Sequence, residues 1–242
     1  MSAVLKLGTR GSRLALWQAE WVQAALVRHG MHAELIVITT RGDAEVDRPL
    51  HELEGKGFFT KEIEDELLAG RIDVAVHSLK DLPTRLPEGL ALAAVPARAD
   101  PAEALVTREA DVASIAALPG GAKIGTSSLR RVAQVHYLRP DLEVVALRGN
   151  VPTRVQKVTE GRDGLAAALL AALEGGCQAP VAAWVGMGDS GLGARLFGRV
   201  TALDGSVQIT ASAEMDAREP AAVGVAVADL LKAQGASRLL AR

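Results

Sequence analysis

A single cysteine, Cys177, is present among 242 residues, so the chain cannot form an intramolecular disulfide. The five histidines are scattered and do not show the spacing of a zinc site with that cysteine, so no metal is predicted. The sequence also lacks an apolar run of signal-peptide or membrane-spanning length. These absences predict a cytoplasmic protein without a membrane partner.

An excess of charge of either sign is also lacking. The 27 lysines and arginines stand against 29 aspartates and glutamates, which gives a formal net charge of -2. This balance argues against long-range attraction to nucleic acid, so no nucleic-acid partner is predicted. An anion site must therefore come from a local cluster of basic residues.

The cysteine lies in LEGGCQAP, residues 173–180. A free cysteine is commonly a small buried hydrophobe, whereas a cysteine on an exposed turn can be a reactive attachment point. The glycines before Cys177 favour a turn. The residues alone leave both interpretations open.

Strand and helix patterns alternate in the first part of the chain. KLGTR is a candidate strand, and a helical pattern follows it with Ser12 as the N-cap. Further strands are predicted in ELIVITT, in DVAVHS at 73–78 and in LALAAV at 90–95, with a helix from about Thr60 to Gly70. This alternation predicts a mostly parallel sheet in an α/β domain.

The same pattern then recurs. Lys123-Ile124-Gly125-Thr126 opens a strand, a polar turn and a helix, as Lys6-Leu7-Gly8-Thr9 does earlier. LEVVAL ends in Arg-Gly-Asn, as ELIVITT ends in Arg-Gly-Asp. The echo predicts two related α/β domains, of the periplasmic-binding-protein-like type, around a cleft. Their expected ranges are 1–98 and 99–164, with the hinge in VPARADPAEA.

Residues 165–242 read as a small α+β domain. Apolar strands are predicted in APVAAWV, LFGRVTAL and SVQITASAE, with a hairpin turn at Asp204-Gly205. A final helix is predicted from Pro220 to about Gln234. The expected result is a three-stranded antiparallel sheet with Cys177 on the first turn of the domain.

Basic and hydroxyl side chains cluster where strands give way to helices. At such points, free backbone N–H groups and the helix dipole favour an anion. Further basic residues, including Lys56 and Lys61, add to a predicted basic cleft. The two predicted turns comprise Thr9, Arg10, Ser12 and Arg13, and Thr126, Ser127, Ser128, Arg130 and Arg131.

Six strings together closely resemble porphobilinogen deaminases, the hydroxymethylbilane synthases of tetrapyrrole biosynthesis. The resemblance implies a monomeric three-domain transferase with its active site between the first two domains. It would join four porphobilinogen molecules with loss of ammonia. The strings are TRGSRLALWQA, GDAEVDRPL, EGKGFFTKEIEDELLAGRIDVAVHSLKDLPTRLPEGL, IGTSSLRRVAQ, LRGNVPTRV and LEGGCQAP.

The resemblance also implies roles for individual residues. Cys177 would carry a dipyrromethane cofactor through a thioether, and Asp81 of HSLKDLP would be the catalytic carboxylate, with Lys80 beside it. Substrate carboxylates would bind Arg10, Arg148 and Arg154. The cofactor would further contact Ser12, Lys80, Asp81, Thr126, Ser127, Ser128, Arg130, Arg131, Arg148 and Gly149.

The sequence departs from the family pattern after Gly164. A second-domain strand and helix, and a glycine-rich return to the first domain, are expected there, but the chain passes almost directly into LAAALLAALEGG. The start of this string fits a second-domain strand and its end fits a third-domain helix. The alternatives are therefore an inactive truncated deaminase and a non-catalytic, two-lobed anion-binding protein.

Overall fold

The structure, a computed structural model, describes residues 4–44, 59–83, 85–97, 102–171, 180–187, 193–216 and 218–240. The chain divides into two compact units. The first consists mainly of Met1–Glu103. The second consists mainly of Ala104–Leu147, Val151–Leu170 and the C-terminal residues.

The first unit is built on a three-stranded parallel sheet in the order β2-β1-β3. Leu7 in the central strand β1 pairs with Leu35 of β2 on one side and with Val74 of β3 on the other. The elements of this unit are β1 (Leu5–Thr9), α1 (Arg13–Arg28), β2 (Ala33–Val37), α2 (Arg41–Ala44), α3 (Lys61–Leu68), β3 (Val74–Ala75) and a 3-10 turn (Leu79–Asp81).

A close contact at Gly8 determines how the layers pack on β1. A Cβ atom at this position would overlap the Cδ1 atom of Ile72, and it would lie 3.1 Å from Cδ1 of Ile38. Glycine therefore lets two large aliphatic side chains approach the strand. The next residue, Thr9, is completely buried, and its hydroxyl donates a hydrogen bond to the carbonyl of Ala15. This bond ties the end of β1 to the first turn of α1.

The second unit contains a four-stranded sheet in the order β4-β7-β5-β6. Strand β5 pairs in parallel with β6 and with β7. The elements of the second unit around this sheet are β4 (Glu103–Thr107), a 3-10 turn (Ile115–Ala117), β5 (Lys123–Gly125), α4 (Leu129–Leu138), β6 (Glu143–Val145), α5 (Val151–Thr159), a 3-10 turn (Arg162–Gly164) and β7 (Leu165–Ala171).

LAAALLA after Gly164 forms the strand β7. Ala167 and Ala168 are fully buried and pair with Ile124 and Gly125 of β5. Their small side chains suit an inner position of the sheet, where helices and strands pack on both faces. The start of the ambiguous string is therefore a strand of this sheet. The division of the chain into three domains stays a prediction.

The C-terminal residues form the predicted three-stranded antiparallel sheet, in the order β10-β9-β8. Its core includes Val200 and Ile209 of the sheet and Val227 and Leu231 of the helix that follows the last strand. Gly198 allows this helix to pack closely, since a Cβ there would lie 2.7 Å from Cγ1 of Val227. The elements are β8 (Val181–Met187), β9 (Ala194–Thr201), β10 (Gln208–Glu214), α6 (Pro220–Ala233) and α7 (Ala236–Leu240).

Polar contacts join this antiparallel sheet to helix α4 within the second unit. The buried Thr201 hydroxyl accepts hydrogen bonds from the side-chain amides of Gln134, at 2.6 Å, and Gln208, at 3.1 Å. The ring Nδ1 of His136 lies 2.8 Å from the carbonyl oxygen of Leu203. The hairpin between β9 and β10 is thereby attached to the last turns of α4.

The strand predicted at 90–95 is wrong. Residues 90–97, all of them described, have no regular secondary structure, and Leu92 and Val95 are 53% and 59% exposed. A strand needs a neighbour for its backbone hydrogen bonds, and β3, at the sheet edge, is only two residues long. The segment has the apolar pattern of a strand, but the short edge strand β3 offers few backbone groups with which it could form hydrogen bonds.

The described chain is thus a mixed α/β fold with parallel sheets and a C-terminal antiparallel sheet, which confirms the predicted fold class at this level. None of the helices in the described ranges is long and apolar enough to cross a membrane.

Gly205 provides a test of the contact between the hairpin and α4. It has a φ of +75°, and a Cβ there would overlap backbone atoms of His136 and Tyr137. Gly121 has a φ of +74° and no atom within 4 Å of such a Cβ. Gly121→Ala should cost about 1 kcal/mol of unfolding free energy from backbone strain alone. Gly205→Ala should cost about 1–3 kcal/mol more, because the hairpin must move away from α4.

Urea unfolding of the two variants and the parent measures the difference. Equal losses in the two variants would show that the hairpin does not rest on the helix.

Candidate anion-binding and catalytic site

A small cavity of about 30 Å3 lies in the first unit, where β1 and β3 end and α1 begins. It brings together three residues predicted for the site: Arg10, Ser12 and Asp81. Backbone and side-chain groups from both strand ends line it, because parallel strands present their carboxyl ends at the same edge of the sheet. The lining residues are Arg10, Ser12, Leu14, Ala15, Gln18, Val76, His77, Ser78 and Asp81.

Arg10 and Ser12 occupy the turn between β1 and α1. The Ser12 hydroxyl accepts a hydrogen bond of 3.2 Å from the backbone N–H of Ala15, so it caps the helix as predicted. The Arg10 guanidinium lies over the ring of Phe59, 4.1 Å from its centre. This cation–π contact fixes the direction of the guanidinium.

His77 contributes a buried polar atom to the cavity. Its Nε2 is inaccessible to solvent and has no hydrogen-bond partner among the described residues. Burial, together with the positive charge of Arg10, lowers the pKa of His77 from its ordinary value to about 4. The imidazole is therefore neutral near pH 7. Its neighbour Ser78 donates a hydrogen bond of 3.1 Å to the side-chain oxygen of Gln18.

Lys80 and Asp81 lie on the 3-10 turn that follows β3. The Asp81 backbone N–H donates to the carbonyl of Ser78 at 2.9 Å, which closes the turn. Asp81 lines the cavity, and both residues take part in further interactions. The turn thus places Asp81, the carboxylate predicted from HSLKDLP, at the same cavity as Arg10.

The second predicted anion turn, in the other unit, connects β5 to α4. Thr126 is only 2% exposed, and its hydroxyl accepts from the backbone N–H of Ser128. The Ser127 hydroxyl donates to the carbonyl of Leu147 at 2.8 Å and accepts from its N–H at 3.1 Å. The Ser128 hydroxyl makes no capping hydrogen bond to the α4 backbone, all of which is described. The N-cap residue of α4 therefore does not cap the helix with its own side chain.

Arg130 and Arg131 lie in the first turn of α4. Arg130 donates from Nη1 to the carbonyl of Val181, the first residue of β8, at 3.1 Å. One of its five donors is thus used to join α4 to the antiparallel sheet. Arg131 takes part in interactions of its own.

Arg148, Gly149 and Arg154 lie in and after the loop that follows β6. Gly149 has a φ of 110°, a backbone conformation that favours glycine. Arg154 lies in the first half of α5, and all three residues have further interaction partners. Cys177 and Lys56 lie outside the described residues.

His77 is one of three polar cavity residues, with Gln18 and Ser78, for which no role was predicted from the sequence. Its position at the end of the strand predicted over 73–78, beside Ser78 and ahead of Asp81, was a usable signal. Among the described residues, no group of three or more His, Cys, Asp or Glu side chains could hold a metal ion.

The parallel strands and their helices, with the added antiparallel module, define a mixed α/β protein in which basic, hydroxyl-rich turns follow two of the strands. The family model described as "Porphobilinogen deaminase, dipyromethane cofactor binding domain" matches residues 5–175. The model described as "Porphobilinogen deaminase, C-terminal domain" matches residues 167–233. The chain belongs to the porphobilinogen deaminase family, which confirms the resemblance drawn from the six strings.

Individual relatives agree with this assignment. The porphobilinogen deaminase of Syntrophotalea carbinolica is 40% identical over 306 residues, which cover 99% of this chain and 96% of the relative. That of Moorella thermoacetica is 39% identical over 304 residues, which cover 98% and 95%. That of Geobacter sulfurreducens is 53% identical over 170 residues, which cover 69% of this chain and 52% of the relative. These matches favour the deaminase over the two-lobed binding protein.

The comparisons also reveal a difference in length. The 306 residues aligned with the Syntrophotalea carbinolica protein exceed the 242 residues of this chain by 64, so at least that many positions have no counterpart here. The two family matches overlap on residues 167–175. This short stretch therefore matches the end of one family domain and the beginning of the next.

The neutral His77 predicts a loss of stability in acid. In the unfolded chain its imidazole takes up a proton near pH 6.5, but in the folded chain it does so only near pH 4. Stability from this residue is present above pH 6.5 and falls as the pH is lowered through this window, by about 3 kcal/mol in total. His77→Gln should remove this component.

Urea unfolding at several values between pH 4 and pH 7 measures the effect. The exposed His29 provides the control, because His29→Gln makes the same replacement at a surface position of the same unit. If His77→Gln and the parent lose stability equally in acid, His77 is not held neutral by the fold.

Proposed function

We propose that the chain is a transferase that joins four porphobilinogen molecules, with loss of ammonia, into the linear tetrapyrrole hydroxymethylbilane. The observation that carries the proposal is the cavity of the first unit, which brings the Asp81 carboxylate and the Arg10 guanidinium together. The family membership of the chain supports the same reaction.

Asp81 is the proposed catalytic carboxylate. Loss of ammonia leaves the substrate as an electron-poor cation, and a carboxylate beside it stabilises that charge and accepts and returns pyrrole protons. Asp81 is held for this role by the 3-10 turn, whose backbone hydrogen bond to Ser78 fixes its direction. Lys80, the preceding residue, supplies a cation for a carboxylate of the ligand. Arg10, Arg148 and Arg154 are the proposed partners of the substrate carboxylates.

A dipyrromethane cofactor, attached through a thioether to Cys177, belongs to the proposal and when bound provides the primer for chain growth. Its pyrrole rings carry carboxylates, and the second anion turn has the donors that fit them. The Ser128 side chain does not cap α4, and the turn and the first turn of the helix carry further hydroxyl and guanidinium side chains. The proposed contacts are Ser12, Lys80, Asp81, Thr126, Ser127, Ser128, Arg130, Arg131, Arg148 and Gly149.

The finer features of the fold and setting are part of the same proposal. They comprise two related α/β domains of the periplasmic-binding-protein type, a monomeric state and a cytoplasmic location. The repeated pattern of a buried threonine, a polar turn and a helix start after β1 and after β5 supports the relation between the domains.

An inactive truncated deaminase is the second candidate. It is favoured by the 64 aligned positions without a counterpart and by the exposed apolar residues at 90–97. Incubation of the protein with porphobilinogen, followed by acid cyclisation of the product, separates the two, because only an active chain gives a uroporphyrin spectrum. A lack of product with a folded chain would select the inactive form.

Asp81→Asn tests the role of the carboxylate. It keeps the shape of the side chain but removes its charge, so turnover should fall by roughly 10²–10⁴-fold, while the urea unfolding midpoint changes little. Asp65→Asn is the matched control, because Asp65 is an exposed carboxylate of the same unit that pairs with Lys61. Turnover of Asp81→Asn at the rate of Asp65→Asn would remove Asp81 from the mechanism.

The proposed attachment of the cofactor to Cys177 predicts that the protein carries a covalent modification. A thiolate is a good nucleophile toward an electron-poor carbon, and a thioether resists hydrolysis. Protein expressed in cells that make porphobilinogen should show the added mass of a dipyrromethane and a red colour with an aldehyde reagent for pyrroles. Cys177→Ser should lose both and keep its fold. An unmodified mass in the parent would contradict the attachment.

A further inference from the structure

The Nε2 atom of His77 is a buried polar atom with no hydrogen-bond partner in the described part of the chain. Such an atom costs free energy unless a ligand or a water molecule satisfies it. A histidine that only filled space in the core would normally have both polar atoms satisfied or one of them in solvent. Because His77 is one of the residues that line the cavity, a group bound there is a candidate partner for this atom.

Charge decides which ligand group suits this position. The charged residues that line the cavity with His77 are Arg10, from the turn after β1, and Asp81, from the 3-10 turn. Arg10 is close enough to lower the pKa of His77, so its positive charge acts on the imidazole. An anionic group between them would interact favourably with the guanidinium and accept a hydrogen bond from the imidazole.

Size restricts the choice further. A cavity of about 30 Å3 has room for about one or two water-sized groups, and not for a pyrrole ring. A carboxylate on a flexible side arm fits, because the ring that carries it can remain outside. Porphobilinogen has two such arms, an acetate and a propionate.

We propose that His77 is a substrate-binding residue, whose Nε2–H donates a hydrogen bond to a carboxylate of the substrate that also interacts with the Arg10 guanidinium. The inference rests on the proposed function for the identity of the substrate. His77 would then be a neutral hydrogen-bond donor that acts beside the proposed arginine partners of the substrate carboxylates. In the neutral imidazole, Nε2 then carries the proton and Nδ1 does not.

Binding of a carboxylate changes the acid–base behaviour of His77 in a defined direction. An adjacent anion stabilises the imidazolium, so the pKa of His77 rises from its value of about 4 in the free protein.

The first experiment observes the imidazoles of the full chain by nuclear magnetic resonance, with succinate as an unreactive carboxylate probe and porphobilinogen in a second series. The His77 signal is assigned by its absence in His77→Gln. It should shift saturably and titrate at higher pH with either ligand, whereas the signals of the exposed His29 and His32 should not shift. A His77 signal that responds to neither ligand overturns the proposal.

The second experiment separates binding from folding. His77→Gln keeps an N–H donor, so its KM for porphobilinogen should stay within about threefold of the parent. His77→Leu removes the donor and should raise KM about tenfold to hundredfold, with kcat changed less than about threefold. A KM for His77→Leu equal to that of His77→Gln overturns the proposal.

The two experiments distinguish this inference from the proposed function. If the parent makes no tetrapyrrole but His77 responds to succinate, the transferase proposal fails and the carboxylate position stands. If the parent is active and His77 responds to neither ligand, the transferase proposal stands and the carboxylate position at His77 fails.

Discussion

The close approach of aliphatic side chains to one glycine in each central strand is the constraint on which both candidate sites depend. At Gly8 the contact is with Ile72, and at Gly125 a Cβ would lie 2.8 Å from Cδ2 of Leu147 and 3.0 Å from Cδ2 of Leu165. A larger residue would require these aliphatic side chains to shift. These glycines precede threonines that are buried at the strand ends, and the polar turns begin directly after them.

The two turns contain similar residues, but these residues make different contacts in each turn. After β1, Ser12 caps its helix and Arg10 lies on an aromatic ring, so the turn is fixed internally. After β5, Ser127 holds the backbone of Leu147, and the Ser128 hydroxyl makes no capping hydrogen bond to α4. The first turn is therefore tied to its own helix, whereas the second is tied to the loop that follows β6.

Sequence patterns predicted the features that depend on neighbours along the chain. The N-cap at Ser12 and the three C-terminal strands follow from local spacing and turn chemistry, and the structure agrees with both. Features that depend on distant residues were not accessible in this way. The apolar run at 90–95 needed a partner strand, Arg130 reaches the carbonyl of Val181 fifty-one residues away, and the isolation of Nε2 in His77 depends on packing around it.

The Thr201 hydroxyl has a consequence for how sequences of this kind can diverge. It accepts from two glutamine amides, one from helix α4 and one from strand β10, which uses both lone pairs of one oxygen atom. Loss of one of the three side chains removes hydrogen bonds from the others, so a change at one position weakens the contact unless the others change with it. Recombination that exchanged the C-terminal module between lineages would separate Gln134 from Thr201 and Gln208. Such exchange is therefore disfavoured unless both lineages share the same three residues.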